Sequence, residues 1–128
     1  MDCAAQHLKP YEWIVNLDAD CYVASEYFKH IETLIATHAK AHILNLGYSH
    51  ERYFQIKNIQ DHSLIQGILA YERHLRYYEQ LLRDAGHPHA CQTVGSAFAV
   101  RCDTYLKTGG MNTRKAGEDF YFIQKVVK

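Results

Sequence analysis

The sequence has no net charge, no long apolar run and no low-complexity or proline- and serine-rich linker. Lysine plus arginine number 14 and aspartate plus glutamate number 14, so the formal charge is zero, and no basic stripe with interleaved aromatic residues is present. These features argue against nucleic-acid binding through phosphate neutralisation. The longest apolar runs, such as residues 13–15 and 97–100, are far shorter than the roughly 20 residues of a membrane-spanning helix. We therefore expect no nucleic-acid partner and no transmembrane segment in this chain.

A secretory signal is also missing, because no basic start leads into an apolar core at the N-terminus. The four cysteines are even in number, but without export they require no disulfide framework, and we expect reduced thiols in the cytoplasm. With 48% hydrophobic and 22% charged residues over 128 positions, the composition is typical of one globular domain or part of one.

Strand and helix patterns alternate along the chain. Short apolar or β-branched stretches predict strands, and apolar residues at three- and four-residue spacing predict helices. The predicted strands are residues 12–17, 41–47 and 93–101, and the predicted helices are the segment before Pro10, residues 25–38, residues 63–86 and the segment from Glu118 onward. Residues 48–61 have no clear pattern. This order favours an α/β fold, in which ligands bind beyond the carboxyl ends of strands.

Two aspartates, Asp18 and Asp20, follow the first predicted strand. A separation of two residues places both side chains on one side if the strand conformation continues that far. Carboxylate oxygens are ligands for Mg²⁺ or Mn²⁺, so the pair could bind a divalent cation. The alternative is that one of them caps a turn or the next helix.

Two further groups could contribute to a site. Gly109-Gly110 is followed by Glu118-Asp119, and a carboxylate at a helix start could act as a general base; an ordinary acidic first turn is the alternative. Gly95-Ser96 has small side chains that allow a ligand to approach the backbone, although tight packing against a helix explains them equally well.

Taken in order, these elements resemble those of family 2 glycosyltransferases. Residues 17–21 match the DxD element, residues 94–101 the glycine-containing strand, and Gly109-Gly110 and Glu118-Asp119 the GG and ED elements. The resemblance runs from about Trp13 to the last residue. It implies a GT-A fold, which is Rossmann-like, with a mostly parallel sheet flanked by helices.

The resemblance also implies a role for each matched residue. Asp18 would lie toward the ribose of a nucleotide-diphosphate sugar, and Asp20, with Asp18, would bind the Mg²⁺ or Mn²⁺ that bridges the diphosphate. Asp119 would be the catalytic base that activates a saccharide or other hydroxyl acceptor, with Glu118 beside it. The other implied substrate-binding residues are Gly95, Ser96, Arg101, Gly109 and Gly110. The implied reaction inverts the anomeric centre in a single displacement.

The family's domain normally begins with a strand, a helix and a strand that form the nucleotide pocket, and nothing before Trp13 matches them. We therefore expect residues 1–128 to be one partial GT-A domain that is weak or inactive alone and tends to self-associate through an exposed sheet edge. In the full-length protein, the cytoplasmic face of a membrane is a further location to consider.

Other functions stay open at this point. A metal-dependent nucleotidyl- or phosphotransferase also uses carboxylates at strand ends with a divalent ion. A non-catalytic binding module with vestigial carboxylates is another alternative. His87, His89 and Cys91 could also contribute to a zinc site if a fourth ligand came from elsewhere.

The helix predicted at 63–86 has the clearest pattern. Ser63 and Gln66 match a capping box, and Gly86 and Pro88 provide a stop. Its stripe of aromatic residues includes Tyr71, Tyr77 and Tyr78. Because a stripe at helical spacing is first a signal of burial, we expect core packing; contact with a sugar acceptor or a membrane-associated partner is the alternative.

Overall fold

The computed structural model describes residues 1–88, 90, 97–111 and 117–127. The elements in chain order are α1 (Asp2–Ala5), β1 (Trp13–Asn16), α2 (Tyr27–Thr37), β2 (Ile43–Asn45), α3 (His50–Lys57), α4 (His62–Asp84), β3 (Phe98–Arg101), α5 (Cys102–Lys107) and α6 (Glu118–Val127). The chain forms two compact units: unit 1 is Met1–Leu46 with Thr93–Lys128, and unit 2 is Gly47–Gln92.

Unit 1 contains a three-stranded sheet with the order β1-β3-β2. β3 pairs antiparallel with both neighbours, so that Val100 lies opposite Ile14 of β1 and Ile43 of β2. Phe98, Ala99 and Val100 are completely buried. A central strand needs apolar side chains on both faces, which the FAVR sequence of β3 provides.

The fold is therefore mixed α/β, as the alternating patterns predict. Both ladders are antiparallel, so the described residues contain no parallel pair to support the expected mostly parallel sheet. β1 and β2 do run in the same direction, because each is antiparallel to β3. The sequence patterns located the strands, whereas strand direction depends on how the long connection from β2 to β3 returns the chain.

Aromatic residues of α5 and α6 complete the core of unit 1. The Phe122 ring lies 6.0 Å from that of Phe98 and 5.4 Å from that of Tyr105, measured between centroids. Ile123 and the Cys102 side chain are also buried. This packing attaches α6, which begins with the Glu118-Asp119 pair, to the central strand.

Unit 2 contains α3 and α4. The sequence patterns left residues 48–61 unassigned, and the structure places α3 there, with Phe54 as its buried residue. The expected stop of α4 is confirmed, since the helix ends at Asp84 and Gly86 follows with a left-handed φ of +68°. The expected capping box is wrong. The N-cap is Asp61, whose carboxylate accepts hydrogen bonds from the backbone N–H of Ser63 and Leu64.

Candidate functional site

The turn that follows β1 brings Asp18 and Asp20 together. The chain leaves strand conformation after Asn16, and the Cys21 amide donates a hydrogen bond of 3.1 Å to the Asp18 carbonyl. Carboxylate oxygens of Asp18 and Asp20 and the thiol of Cys21 all lie within 4.8 Å of one another. The two aspartates are therefore neighbours, as the sequence predicts, but a tight turn rather than a continuing strand brings them together.

This acidic corner, Asp18, Asp20 and Cys21, fits a divalent cation. Opposite ligands of an octahedral ion at about 2.1 Å are about 4.2 Å apart and adjacent ligands about 3 Å apart, so the three side chains, now within 4.8 Å of one another, would have to move closer to bind one ion. All three side chains are exposed, which leaves room for substrate oxygens or water as further ligands. Two hard carboxylates suit Mg²⁺ or Mn²⁺, and the softer thiol favours Mn²⁺ of the two.

Cys21 is a potential ligand that the sequence analysis missed. Its sequence signal is adjacency to Asp20, but the side chains of neighbouring residues point apart in an extended strand. Only the turn closed by the Asp18 carbonyl places the thiol beside both carboxylates.

The Gly109-Gly110 turn has a structural explanation. Both glycines have left-handed backbones, with φ of +77° and +69°, a region that favours glycine. A Cβ at Gly110 would lie 3.2 Å from the Tyr105 hydroxyl oxygen and 3.3 Å from a carboxylate oxygen of Asp2. The close approach that requires glycine at position 110 is thus made by the protein's own side chains.

Tyr105 links this turn to the N-terminal helix. Its hydroxyl donates a hydrogen bond to the Asp2 carboxylate and accepts one of 3.4 Å from the Met111 amide. Burial raises the pKa of Tyr105, and the hydrogen bond to Asp2 raises it further. On the other side, Lys125 Nζ of α6 donates to the Gly110 carbonyl at 3.4 Å. The turn is therefore attached to both α1 and α6.

The carboxylates predicted as catalytic open α6. Glu118 and Asp119 are partly buried in its first turn, after Gly117 with φ of +71°. Asp119 Oδ1 accepts a hydrogen bond of 2.8 Å from the Phe120 amide. One carboxylate oxygen of Asp119 is thereby oriented by the backbone.

Arg101, predicted to bind substrate, forms a two-pronged ion pair with Asp103. Its Nε lies 3.1 Å from Oδ1 and its terminal nitrogen 2.8 Å from Oδ2, and Lys107 approaches the same carboxylate at 3.5 Å. Burial opposes ionisation of Asp103, but the hydrogen bonds and charge of Arg101 outweigh it and lower the pKa of Asp103. Arg101 thus has a structural role at the β3–α5 junction.

The structure unites one predicted pair with Cys21 but not all four acidic residues. Among the described residues, the cluster of possible metal ligands comprises the acidic corner and does not include Glu118 or Asp119. Gly95 and Ser96, which the resemblance implies bind substrate, lie outside the described residues. So do His89 and Cys91 of the alternative zinc site.

Unit 2 contains a buried charge that the sequence analysis also missed. Glu72 is 9% exposed and accepts hydrogen bonds from His50 Nδ1 at 2.9 Å and from Arg76 at 2.7 Å. Burial opposes the charged form, but the bonds from Arg76 and His50 outweigh it and lower the pKa of Glu72. This network links the start of α3 to the middle of α4.

A groove of about 300 Å³ also lies within unit 2, lined by residues of α3, α4 and the loop between them. Phe54, Ile59, Ile65 and Leu69 form its apolar part, and Glu51, Gln55 and Asn58 its polar part. None of the residues predicted to bind donor, acceptor or metal lines this groove.

Among the described residues, no helix combines the length and the apolar character needed to cross a bilayer. Comparisons of the chain with protein-family models, with curated proteins and with solved structures find no match. The functional conclusion therefore depends on the chain's own residues and their geometry.

Proposed function

We propose that this chain belongs to a metal-dependent, inverting glycosyltransferase that transfers a sugar from a nucleotide-diphosphate sugar to an acceptor hydroxyl. The observation that carries this proposal is the acidic corner, in which two carboxylates and a thiol lie within 4.8 Å of one another beyond the carboxyl end of β1. A diphosphate is the donor group that such a cation site would hold.

The order of the remaining elements supports the same function. β3 leads into α5, the Gly109-Gly110 turn and then α6 with its acidic first turn, which is the order of the family 2 elements. β1 and β2 run in the same direction, but both ladders are antiparallel because β3 lies between them, so the GT-A part of the proposal rests on the order of the elements alone.

Asp18, Asp20 and Cys21 would hold the divalent cation. When bound, the cation supplies positive charge that stabilises the departing diphosphate. Asp119 accepts the proton of the acceptor hydroxyl as its oxygen bonds to the anomeric carbon, while the bond from that carbon to the diphosphate oxygen breaks. Because attack and departure are on opposite faces, the configuration inverts and no covalent enzyme intermediate forms. The Phe120 amide holds one oxygen of the Asp119 carboxylate, so the side chain is oriented before the acceptor binds.

The first experiment tests the cation site. Calorimetric titration of the chain with Mn²⁺ should show binding that Asp20→Asn weakens at least tenfold and Cys21→Ser weakens less. Glu32→Gln, which removes an exposed carboxylate from α2, is the matched control and should bind Mn²⁺ like the parent chain. Equal affinity for all four proteins would refute the cation site.

The second experiment tests the reaction with the purified protein. A panel of nucleotide-diphosphate sugars is incubated with Mn²⁺ and candidate acceptors, and the released nucleotide is identified. Release of nucleoside diphosphate that Asp119→Asn reduces by about 10²–10⁴-fold supports the proposal. Release of pyrophosphate or inorganic phosphate instead indicates a nucleotidyl- or phosphotransferase. Binding without turnover, unchanged in Asp119→Asn, indicates a binding module.

A further inference from the structure

Helix α4 carries an exposed apolar stripe on the side opposite its contacts with α3. Leu64, Tyr71, Tyr78 and Leu81 are 47%, 60%, 55% and 45% exposed, respectively. With the exposed Gly67 and His74 between them, they form what we call the outer stripe: Leu64, Gly67, Tyr71, His74, Tyr78 and Leu81. The expectation that Tyr71, Tyr77 and Tyr78 pack in the core is therefore wrong, since the Tyr77 side chain is exposed as well.

A different set of α4 residues faces inward. The buried or half-buried side chains are Ile65, Ile68, Leu69, Glu72, Leu75, Glu79 and Leu82. Successive residues of a helix are rotated by about 100°, so the centre of this inner face and the centre of the outer stripe lie on different sides of α4, although the two sets meet along one edge. Packing on the outer stripe would not displace α3.

The spacing of the outer stripe is that of a helix-pairing seam. Its members recur at intervals of three, four, three, four and three residues, which is the heptad pattern of two packed helices. The seam covers 18 of the 23 residues of α4. Its sole ionisable side chain other than tyrosine is His74, and the charged Arg76 and Arg83 are held by Glu72 and Glu79. A highly charged partner therefore has little to recognise on this face.

The outer stripe is complementary to itself in one antiparallel register. With a two-fold axis between positions 72 and 73, Tyr78 lies opposite Gly67 of a second copy, Tyr71 opposite His74, and Leu64 opposite Leu81. Nothing lies within 4 Å of a Cβ built at Gly67, so the space there is open to the large ring of Tyr78.

On the flank of the seam, as at Tyr78 and Gly67, a large side chain of one copy lies near a small side chain of the other. Tyr77 is 63% exposed and lies on one flank of the seam, where the nearest residue of the second copy on that flank is the exposed Ala70, two positions from the residue directly opposite. Every large hydrophobic side chain of α4 that is more than 40% exposed thus has a partner in this register. Glycine and alanine on either side of the two-fold axis leave room for the large rings of the second copy, as ridges packed into grooves require.

We propose that α4 is a dimerisation element that docks antiparallel on α4 of a second copy of this chain. In this dimer, α3 of each copy stays packed on the side of α4 that faces away from the second copy. About five large side chains from each copy give a total buried area on the order of 1,000 Å², at the small end of specific interfaces. The dimer therefore dissociates on dilution. This proposal is independent of glycosyl transfer.

Sedimentation velocity over a range of concentrations tests the proposal. The parent chain should show a reversible monomer–dimer equilibrium. Gly67→Leu should weaken dimerisation at least tenfold, because the new side chain fills the space at position 67 that receives the Tyr78 ring of the second copy. The same substitution should raise the melting temperature of the monomer, since leucine is a better helix former than glycine. Gln66→Leu, which adds the same apolar group on an exposed position outside the seam, is the matched control and should dimerise like the parent chain.

A pair of charge variants tests the antiparallel register. Tyr71→Lys and His74→Glu should each weaken self-association, because each replaces one side of the same contact. A mixture of the two should form heterodimers, since the introduced lysine of one copy would then face the introduced glutamate of the other.

Three results would overturn the proposal: a parent chain that stays monomeric at the highest concentration that remains in solution, association that Gly67→Leu leaves unchanged, or a mixture of the charge variants that stays monomeric. Association that persists in Gly67→Leu would instead indicate self-association through an exposed edge of the sheet, as the sequence analysis expects.

Discussion

At the scale of single residues, the Gly109-Gly110 turn shows two different reasons for glycine at adjacent positions. Both residues have left-handed φ values, but only position 110 also has neighbours, the Tyr105 hydroxyl and the Asp2 carboxylate, within 3.3 Å of a would-be Cβ. A glycine pair that resembles a substrate-binding motif is in this structure required by backbone conformation and internal packing.

This difference predicts unequal effects of alanine. Gly109→Ala should destabilise the chain by about 1 kcal/mol, because alanine is strained at a left-handed φ. Gly110→Ala should cost about 2–4 kcal/mol, because the new methyl group must also displace Tyr105 or Asp2. Urea denaturation followed by circular dichroism measures both. Equal losses would show that the Tyr105 contact contributes nothing to the requirement for glycine.

At the scale of secondary structure elements, the start of α4 depends on Asp61. Its carboxylate oxygen accepts from Ser63 N at 3.0 Å, Leu64 N at 3.1 Å and Ser63 Oγ at 2.8 Å. These bonds lower the pKa of Asp61, and the bond from Leu64 N has the largest effect. The sequence pattern predicted Ser63 as the cap, whereas the structure has Asp61, two residues earlier, as the N-cap.

A pair of substitutions distinguishes the two caps. Asp61→Ala should destabilise the chain, because two backbone N–H groups lose their acceptor. Ser63→Ala should cost a few tenths of a kcal/mol, since it removes one exposed side-chain bond. Thermal denaturation monitored at 222 nm gives both values. A larger loss for Ser63→Ala would restore the capping box predicted from the sequence.

Helix α3, which the sequence patterns left unassigned, shows where the periodicity of apolar residues fails to predict a helix. Its eight residues, HERYFQIK, bury only Phe54, so no apolar stripe is present to reveal it. A helix this short is marginal in isolation. Contacts with α4, including the bond from His50 to Glu72, stabilise it, and sequence neighbours cannot show such a partner 22 residues away.

At the scale of the whole molecule, acid should destabilise the fold. Glu72 and Asp103 have lowered pKa values in the folded chain because bonds from basic partners outweigh the effect of burial. A carboxyl group with a depressed pKa contributes stability above its unfolded pKa, near 4, and that contribution disappears as the pH falls through the folded value.

We therefore expect the urea midpoint to fall steadily as the pH decreases from about 5 to about 2. The double variant Glu72→Gln with Asp103→Asn should be less stable at pH 7 and should lose less stability on acidification, because two of the responsible groups no longer titrate. Denaturation curves at several pH values measure this slope. A slope equal to that of the parent chain would contradict the assignment of acid sensitivity to these two carboxylates.

Much of the candidate site could be read from residues close together in sequence. The apolar run at 13–16 predicts β1, the two aspartates after it predict an acidic corner, and the acidic pair at 118–119 correctly predicts the start of α6. In contrast, Cys21 joins the corner only through a turn, and Arg101 is held by Asp103 in a geometry that depends on the β3–α5 junction.

The sequence by itself determined where most helices and strands lie, α3 and α5 excepted, because backbone conformation responds to the periodicity, caps and glycines of nearby residues. Only the tertiary structure decided that β3 lies between β1 and β2 and antiparallel to both. It also decided that α4 turns Ile68, Leu75 and Leu82 inward while Tyr71 and Tyr78 stay exposed. Strand direction and the choice of buried face depend on contacts between residues far apart in the chain, and local patterns are compatible with more than one such arrangement.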